Sequence, residues 1–166
     1  MYYTLNEFLQ DWNFESEATL KILNCLTDES LSLKVDNKVR TPGRIAWHIT
    51  LMIGKMLDGT GLILKDLKTD SDVPPSAQEI VNTYRKYSIE LVNAINSQWT
   101  DESLKDEVLM FGETWTKEKI LYSLVKHQIH HRGQLTILMR QAGLINPGIY
   151  GPSSEEWINL GMQPKN

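Results

Sequence analysis

Apolar residues recur at helical spacing through most of the chain, while the period-two alternation typical of strands is almost absent. The first such segment predicts a helix from about Leu5 to Leu26. The second begins at TPGRIAWHITLM, where Thr41 suits an N-cap. Pro42 lies in the first turn, where its missing backbone N–H costs no helical hydrogen bond. The apolar face of this second helix consists of Ile45, Ile49, Met52, Ile53 and Met56.

The polar, proline-broken segment KTDSDVPPS separates these two helices from two more. Ser76 and Glu79 have the spacing of a capping box, which predicts the start of helix three. Helix four is predicted to begin after Thr116 and to end where Gly143 supplies a C-cap. The turn-rich tail that follows ends in a short helix, with Ser153 as its N-cap.

Four amphipathic helices on one core predict an all-α fold, a four-helix bundle with a short C-terminal helix, in a single domain spanning residues 1–166. The pentapeptide TDESL occurs at 27–31 and again at 100–104, after a long helix each time. This match is either chance or the mark of an internal repeat. A repeat would make the chain two helical hairpins, in which helices two and four are counterparts.

Composition and charge narrow the class of protein. Apolar residues make up 41% and charged residues 23% of the chain, as in ordinary globular domains. The formal net charge of −4 and the absence of a Lys/Arg cluster argue against nucleic-acid binding. The chain begins without a signal-peptide pattern and has no apolar run of membrane-spanning length, so we expect a cytoplasmic protein. The single cysteine, Cys25, lies in an apolar stretch and is expected to be a buried, inert thiol.

Three of the four histidines lie within five positions, in KHQIHHRGQL. On a helical wheel His131 falls inside the apolar face of helix four, His127 falls on its border and His130 falls among polar residues. His127 and His131 are four residues apart, which places their rings on one face with Cβ atoms about 5–6 Å apart, as metal ligands on a helix require. His48 flanks the apolar face of helix two in the same way. The candidate metal ligands are therefore His48, His127 and His131, and His130 is predicted to be exposed to solvent.

A packing role is the alternative for these histidines. A single histidine beside an apolar stripe is usually a hydrogen-bonded residue of the core or its rim. Two adjacent imidazoles in a core repel each other if either is protonated, which favours a ligand role for the pair on helix four. No local pattern shows that helices two and four meet, so the residues alone leave both interpretations open.

The strings RIAWHITLM and HQIHHRGQLTILMRQAGLINPGIYGP resemble the DinB-like (DinB/YfiT) superfamily, and the resemblance covers nearly the whole chain. It implies a four-helix bundle with an unusual order of helices, often assembled as a homodimer. The metal triad of the superfamily falls on His48, His127 and His131, the same three residues that the wheel selects. The resemblance therefore implies a complete three-histidine metal site.

Three neutral imidazoles would leave a bound divalent ion, such as zinc, nickel or iron, with its full charge. Such an ion can lower the pKa of a water or activate a thiolate. Relatives in the superfamily include transferases that use low-molecular-weight thiols and metal-dependent hydrolases. We therefore expect a metal-dependent enzyme acting on a small-molecule substrate, either a thiol S-transferase with a low-molecular-weight thiol as co-substrate or a hydrolase. The alternatives are a non-catalytic dimeric stress-response module with a structural metal and a helical interaction protein without one.

Residues near the predicted triad have candidate roles, each with a structural alternative. Gln128 lies inside the apolar face, where its amide would orient a ligand or bond to another helix. Arg132 would hold the carboxylate of a thiol or form a structural ion pair. Tyr150, in the tail, would donate a hydrogen bond or simply pack. Gly133 is expected to permit close approach of another backbone. No carboxylate beside the triad suggests a general base, so no catalytic residue is assigned.

Overall fold

The computed structural model describes residues 1–163 and is mainly helical. The long helices are α1 (Leu5–Leu23), α2 (Pro42–Lys55), α3 (Ala77–Gln98) and α4 (Lys117–Gln141), and the short C-terminal helix is α5 (Ser154–Asn159). One hairpin, formed by β1 (Glu107–Met110) and β2 (Glu113–Thr116), precedes α4. The predicted all-α bundle with a short final helix is confirmed. The predicted domain end at residue 166 lies outside the described residues.

Local capping signals set several helix boundaries as predicted. Thr41 Oγ1 accepts a hydrogen bond from the backbone N–H of Arg44 at 3.2 Å, and Thr116 Oγ1 accepts one from Lys119 at 3.2 Å. Gly143 follows α4 with φ of +73°, a left-handed conformation that costs glycine little and ends the helix. These boundaries are therefore decided by the residues at the boundaries themselves.

One predicted boundary and one predicted cap differ from the structure. Helix α1 ends at Leu23 rather than Leu26, and the chain then turns through a C-cap at Asn24. The predicted capping box at Ser76 does not form, because the Ser76 side chain makes no capping hydrogen bond. The first backbone N–H of α3, that of Ala77, instead donates to a carboxylate from another part of the chain.

The hairpin is the element that the hydrophobic pattern did not predict. Its strands pair antiparallel, with Glu107 opposite Thr116. Phe111 and Gly112 form the two-residue connection, with φ of +52° and +83°. Hairpin turns of this kind usually carry Asn-Gly or Asp-Gly, and Phe-Gly gives no such signal. Four-residue strands are also too short to show convincing alternation.

The order of the helices brings α2 and α4 together. Helix α1 packs mainly against α3 and α4, and α2 packs mainly against the same two helices. Neighbours in the chain, α1 with α2 and α3 with α4, therefore lie diagonally opposite each other in the bundle. This arrangement agrees with the unusual order that the resemblance implies. It also places the two histidine-bearing helices side by side.

The two TDESL copies adopt similar structures and make equivalent contacts through their aspartates. Each contains a 3-10 helical turn, one after α1 and the other after α3. Asp28 Oδ1 accepts a hydrogen bond from the backbone N–H of Ala77, at the start of α3, at 2.7 Å. Asp101 Oδ1 accepts one from Leu5, at the start of α1, at 2.8 Å. Each half therefore caps the first helix of the other half, which supports the interpretation of two equivalent helical hairpins.

The core lies between the four long helices, and each of them contributes to a single apolar cluster. Trp12 of α1, Ile49 of α2, Tyr84 of α3 and Leu124 of α4 are each at most 1% exposed. Within residues 1–163, none of the helices combines the length and the apolar composition that crossing a bilayer requires.

We expect Asp28→Ala and Asp101→Ala each to lower the free energy of unfolding by about 1 kcal/mol, because each leaves a helix-start N–H without its acceptor. For a chain of this length the loss corresponds to a fall in Tm of about 2–4 °C. The two carboxylates cap different helices, so the double variant should show the sum.

Thermal unfolding followed by circular dichroism measures these shifts. Asp70→Ala is the matched control, because Asp70 is exposed and lies outside the helices. A Tm for the Asp28 and Asp101 variants equal to that of the Asp70 variant would contradict the reciprocal capping.

Candidate metal centre

The three predicted histidines meet where α2 and α4 pack side by side. His127 Nε2 lies 3.2 Å from Nε2 of His48 and 3.2 Å from Nε2 of His131. The centroids of the three rings are 4.4–5.0 Å apart. One nitrogen from each ring lies within 4.8 Å of the other two, so the cluster could hold a metal ion.

The spacing of the ring nitrogens fits a shared ion better than a set of hydrogen bonds. Nitrogens bound tetrahedrally to zinc at 2.0–2.1 Å would lie about 3.3 Å apart. A ring nitrogen offers either one proton or one lone pair, so His127 Nε2 cannot make two good hydrogen bonds at once. Three ring nitrogens within 4.8 Å of one another are close enough to share one ion.

Gln134 fixes the orientation of the His131 ring. His131 Nδ1 lies 2.8 Å from Gln134 Oε1, which only accepts, so Nδ1 carries the proton and Nε2 keeps its lone pair for a metal. The Gln134 amide also donates to His130 Nε2 at 3.0 Å. His130 is exposed, as predicted, but this contact joins it to His131 through Gln134.

Gln134 is a functional candidate that sequence reasoning missed. It belongs to the HRGQL string, and it lies three residues after His131, a separation that puts both side chains on one face of α4. That spacing was the available signal, although helical spacing alone does not distinguish a positioning residue from an ordinary surface glutamine.

Burial keeps the three imidazoles neutral. The pKa of His48 and that of His127 are both lowered to about 4. Desolvation is the main cause of this shift, and repulsion from the neighbouring histidines adds to it. The pKa of His131 is also lowered, chiefly by desolvation. Neutral rings at pH 7 present the lone pairs that a metal ion needs, without competition from protons.

A cavity of about 590 Å³ opens beside the cluster, and His131 forms part of its wall. Three protein ligands would leave a position for a further molecule on a four-coordinate ion, and this cavity gives such a molecule room. Within the part of the chain that the structure describes, the cavity wall contains no carboxylate.

Gln128 makes the interhelical contact that was the alternative to orienting a ligand. Its side chain is buried, and Tyr84 OH on α3 donates to Gln128 Oε1 at 2.5 Å. No other backbone approaches Gly133 closely, because a Cβ atom added to it would have no neighbouring atom within 4 Å. That prediction is wrong, and Gly133 has no structural role that these contacts reveal.

Arg132 and Tyr150 belong to one polar network, in which Arg132 is buried and Tyr150 is exposed. Arg132 Nη2 lies 2.7 Å from Glu15 Oε2, and both side chains are at most 5% exposed. Tyr150 OH donates to Glu15 Oε1 at 2.8 Å and accepts from Arg132 Nη2 at 2.6 Å. These bonds tie the tail to α1 and α4, and neither Arg132 nor Tyr150 lines the cavity beside His131. The geometry favours the structural alternative for both residues.

The Cys25 thiol is half-buried and donates to the backbone carbonyl of Lys21 at 3.4 Å. Desolvation raises its pKa, which keeps the thiol protonated and agrees with the predicted inert role. It is less buried than predicted.

Replacing Gln134 by alanine is expected to weaken metal binding about 10- to 100-fold, because the His131 ring loses the acceptor that fixes its tautomer and orientation. Gln134→Glu keeps an acceptor for Nδ1 and should restore most of the affinity. Competition with a colorimetric chelator measures the metal Kd. Gln141→Ala, at the exposed end of α4, is the control. Equal Kd values for Gln134→Ala and Gln141→Ala would contradict the positioning role.

Comparisons with known proteins agree with this fold. The family model described as DinB family matches residues 1–165. The uncharacterized protein YrdA of Bacillus subtilis is 45% identical over 163 residues, which cover 98% of each chain. YizA of Bacillus subtilis is 28% identical over 91 residues, which cover 52% of this chain and 50% of that protein.

Two crystal structures show the same architecture. That of a DinB-like protein from Bacillus cereus ATCC 10987 has a TM-score of 0.86 and 46% identity, covering 90% of this chain and 100% of that chain. The structure of the DinB-like protein YjoA from Bacillus subtilis has a TM-score of 0.65 and 18% identity, and the match covers 89% of this chain and 99% of that chain. At this identity the likeness shows the fold alone. From the family match along the chain and the identity to these relatives, we conclude that the protein belongs to the DinB family.

Proposed function

We propose that this protein is a metal-dependent enzyme acting on a small molecule, either an S-transferase for a low-molecular-weight thiol or a hydrolase. The observation that carries the proposal is the convergence of three neutral imidazoles beside a cavity large enough for a substrate. Pockets of this size hold small molecules and cofactors rather than macromolecules. Zinc, nickel and iron all suit such a ligand set.

His48, His127 and His131 would hold the ion, and a divalent ion there would act as a Lewis acid that lowers the pKa of a thiol or a water. The three ligands contribute no negative charge of their own. They would therefore favour the deprotonated form of the bound nucleophile more than a ligand set containing carboxylates. Gln134 would keep the His131 lone pair directed at the ion.

The second candidate is a non-catalytic dimeric stress-response module in which the metal is structural. The specific observation in its favour is that the site joins two helices, α2 and α4, that are distant in the chain. An ion bound there would stabilise the folded state over the unfolded state. This candidate predicts a large fall in Tm on chelation and no turnover that depends on the metal.

The test is to incubate the zinc-, nickel- or iron-loaded protein with a thiol and monochlorobimane, and separately with an activated ester. We expect turnover with one of them. In His131→Ala we expect the rate to fall by more than about 100-fold, because losing a ligand costs more than losing a contact that orients one.

Gln141→Ala, on the exposed end of the same helix, is the control and should retain the wild-type rate. Equal rates for wild type and His131→Ala, or no turnover of any thiol or ester by wild type, would contradict the enzyme proposal. A large fall in Tm on chelation, together with no turnover by the metal-loaded protein, would favour the structural metal.

A further inference from the structure

We propose that the cavity beside the three histidines binds a small anionic molecule, whose carboxylate or phosphate is held by Lys38 and Arg40 while its other end lies at the histidine cluster. This inference rests on the proposed function and specifies the substrate class of the same site. Both cations line the cavity together with His131.

The charge of the cavity wall is opposite to that of the protein. The whole chain has a formal net charge of −4, but the wall contains two cations and, within the described residues, no acidic side chain. Neither Lys38 nor Arg40 forms an ion pair with any acid of residues 1–163. Two cations without a protein partner at a concave surface attract an anionic ligand and can donate charge-assisted hydrogen bonds to it.

The backbone fixes where these cations lie relative to the histidine cluster. Asp36 Oδ1 accepts a hydrogen bond from the N–H of Lys38 at 2.7 Å, which holds the turn before α2. Arg40 directly precedes Thr41, the N-cap of the helix that carries His48. Arg40 and His131 line the same cavity, so one small molecule in it can contact both.

Apart from these cations, His131 and the amide of Gln134, the wall is apolar and is formed by Val39, Ile45, Ile137 and Leu138. Such a surface suits a hydrocarbon linker between two polar ends. The cavity thus favours a molecule with an anionic group at one end, a short apolar segment and a reactive group at the other end. A thiol that carries a carboxylate has this form, and so does an acid or phosphate without a thiol.

The experiment compares two thiols with the same three-carbon chain, 3-mercaptopropionate and the uncharged 3-mercapto-1-propanol, by calorimetric titration of zinc-loaded protein. We expect 3-mercaptopropionate to bind about 10-fold more tightly than 3-mercapto-1-propanol, because one charge-assisted contact at an exposed site changes a Kd by about that factor. Added salt should reduce the difference. Titration with 3-hydroxypropionate and with inorganic phosphate distinguishes a carboxylate thiol from acids or phosphates that lack sulfur.

In the variant Lys38→Gln/Arg40→Gln the ratio of the two Kd values should fall close to 1. Lys55→Gln/Lys65→Gln removes the same charge from exposed lysines that do not line the cavity, and it should keep the wild-type ratio. Equal affinity for the two thiols in wild type would overturn the inference. So would an unchanged ratio in Lys38→Gln/Arg40→Gln.

The failure of this inference is distinguishable from that of the proposed function. A protein that takes up no metal contradicts the proposed function. A metal-loaded protein with His131-dependent turnover that binds the two thiols equally contradicts only the anionic substrate class.

Discussion

The packing of α2 against α4 is the constraint on which the rest of the structure depends. It brings His48 to two histidines that lie about 80 positions later in the chain, and it sets Nε2 of His48 3.2 Å from Nε2 of His127. Imidazoles held this close in a half-buried site are stable only when neutral, as their lowered pKa values indicate. The same packing leaves a cavity along one side of the cluster, so a candidate metal site and a candidate substrate site arise from one helix pair.

The arrangement of two helical hairpins positions the site, but the two hairpins do not contribute equally to its histidines. The TDESL copies cap α1 and α3 reciprocally, which supports the interpretation of two hairpins with α2 and α4 as counterparts. His48 nevertheless lies seven residues after the N-cap Thr41, whereas His127 lies eleven after Thr116. The position equivalent to His48 in α4 holds Ser123. The histidine cluster is therefore asymmetric with respect to the two hairpins.

How far the sequence predicts the structure depends on whether the deciding interaction is local. Thr41, Thr116 and Gly143 set helix boundaries through neighbouring atoms, and their roles were predicted. Ser76 was predicted to cap α3, but Asp28 does so across 49 positions, and no local pattern carries that information. The helical wheel predicts that His127 and His131 face inward on α4. That His48 lies beside them is implied by the resemblance and then shown by the fold.

The central claim is that three histidines from two helices hold one metal ion, and the metal content of purified protein tests it most directly. Protein prepared without a histidine tag should contain about one transition-metal ion per chain by elemental analysis, and Lys55→Ala, a change on the exposed end of α2, should contain the same. His48→Ala should contain much less, although both histidines of α4 remain. Wild-type protein without metal, or a His48→Ala variant with undiminished metal, would contradict the account.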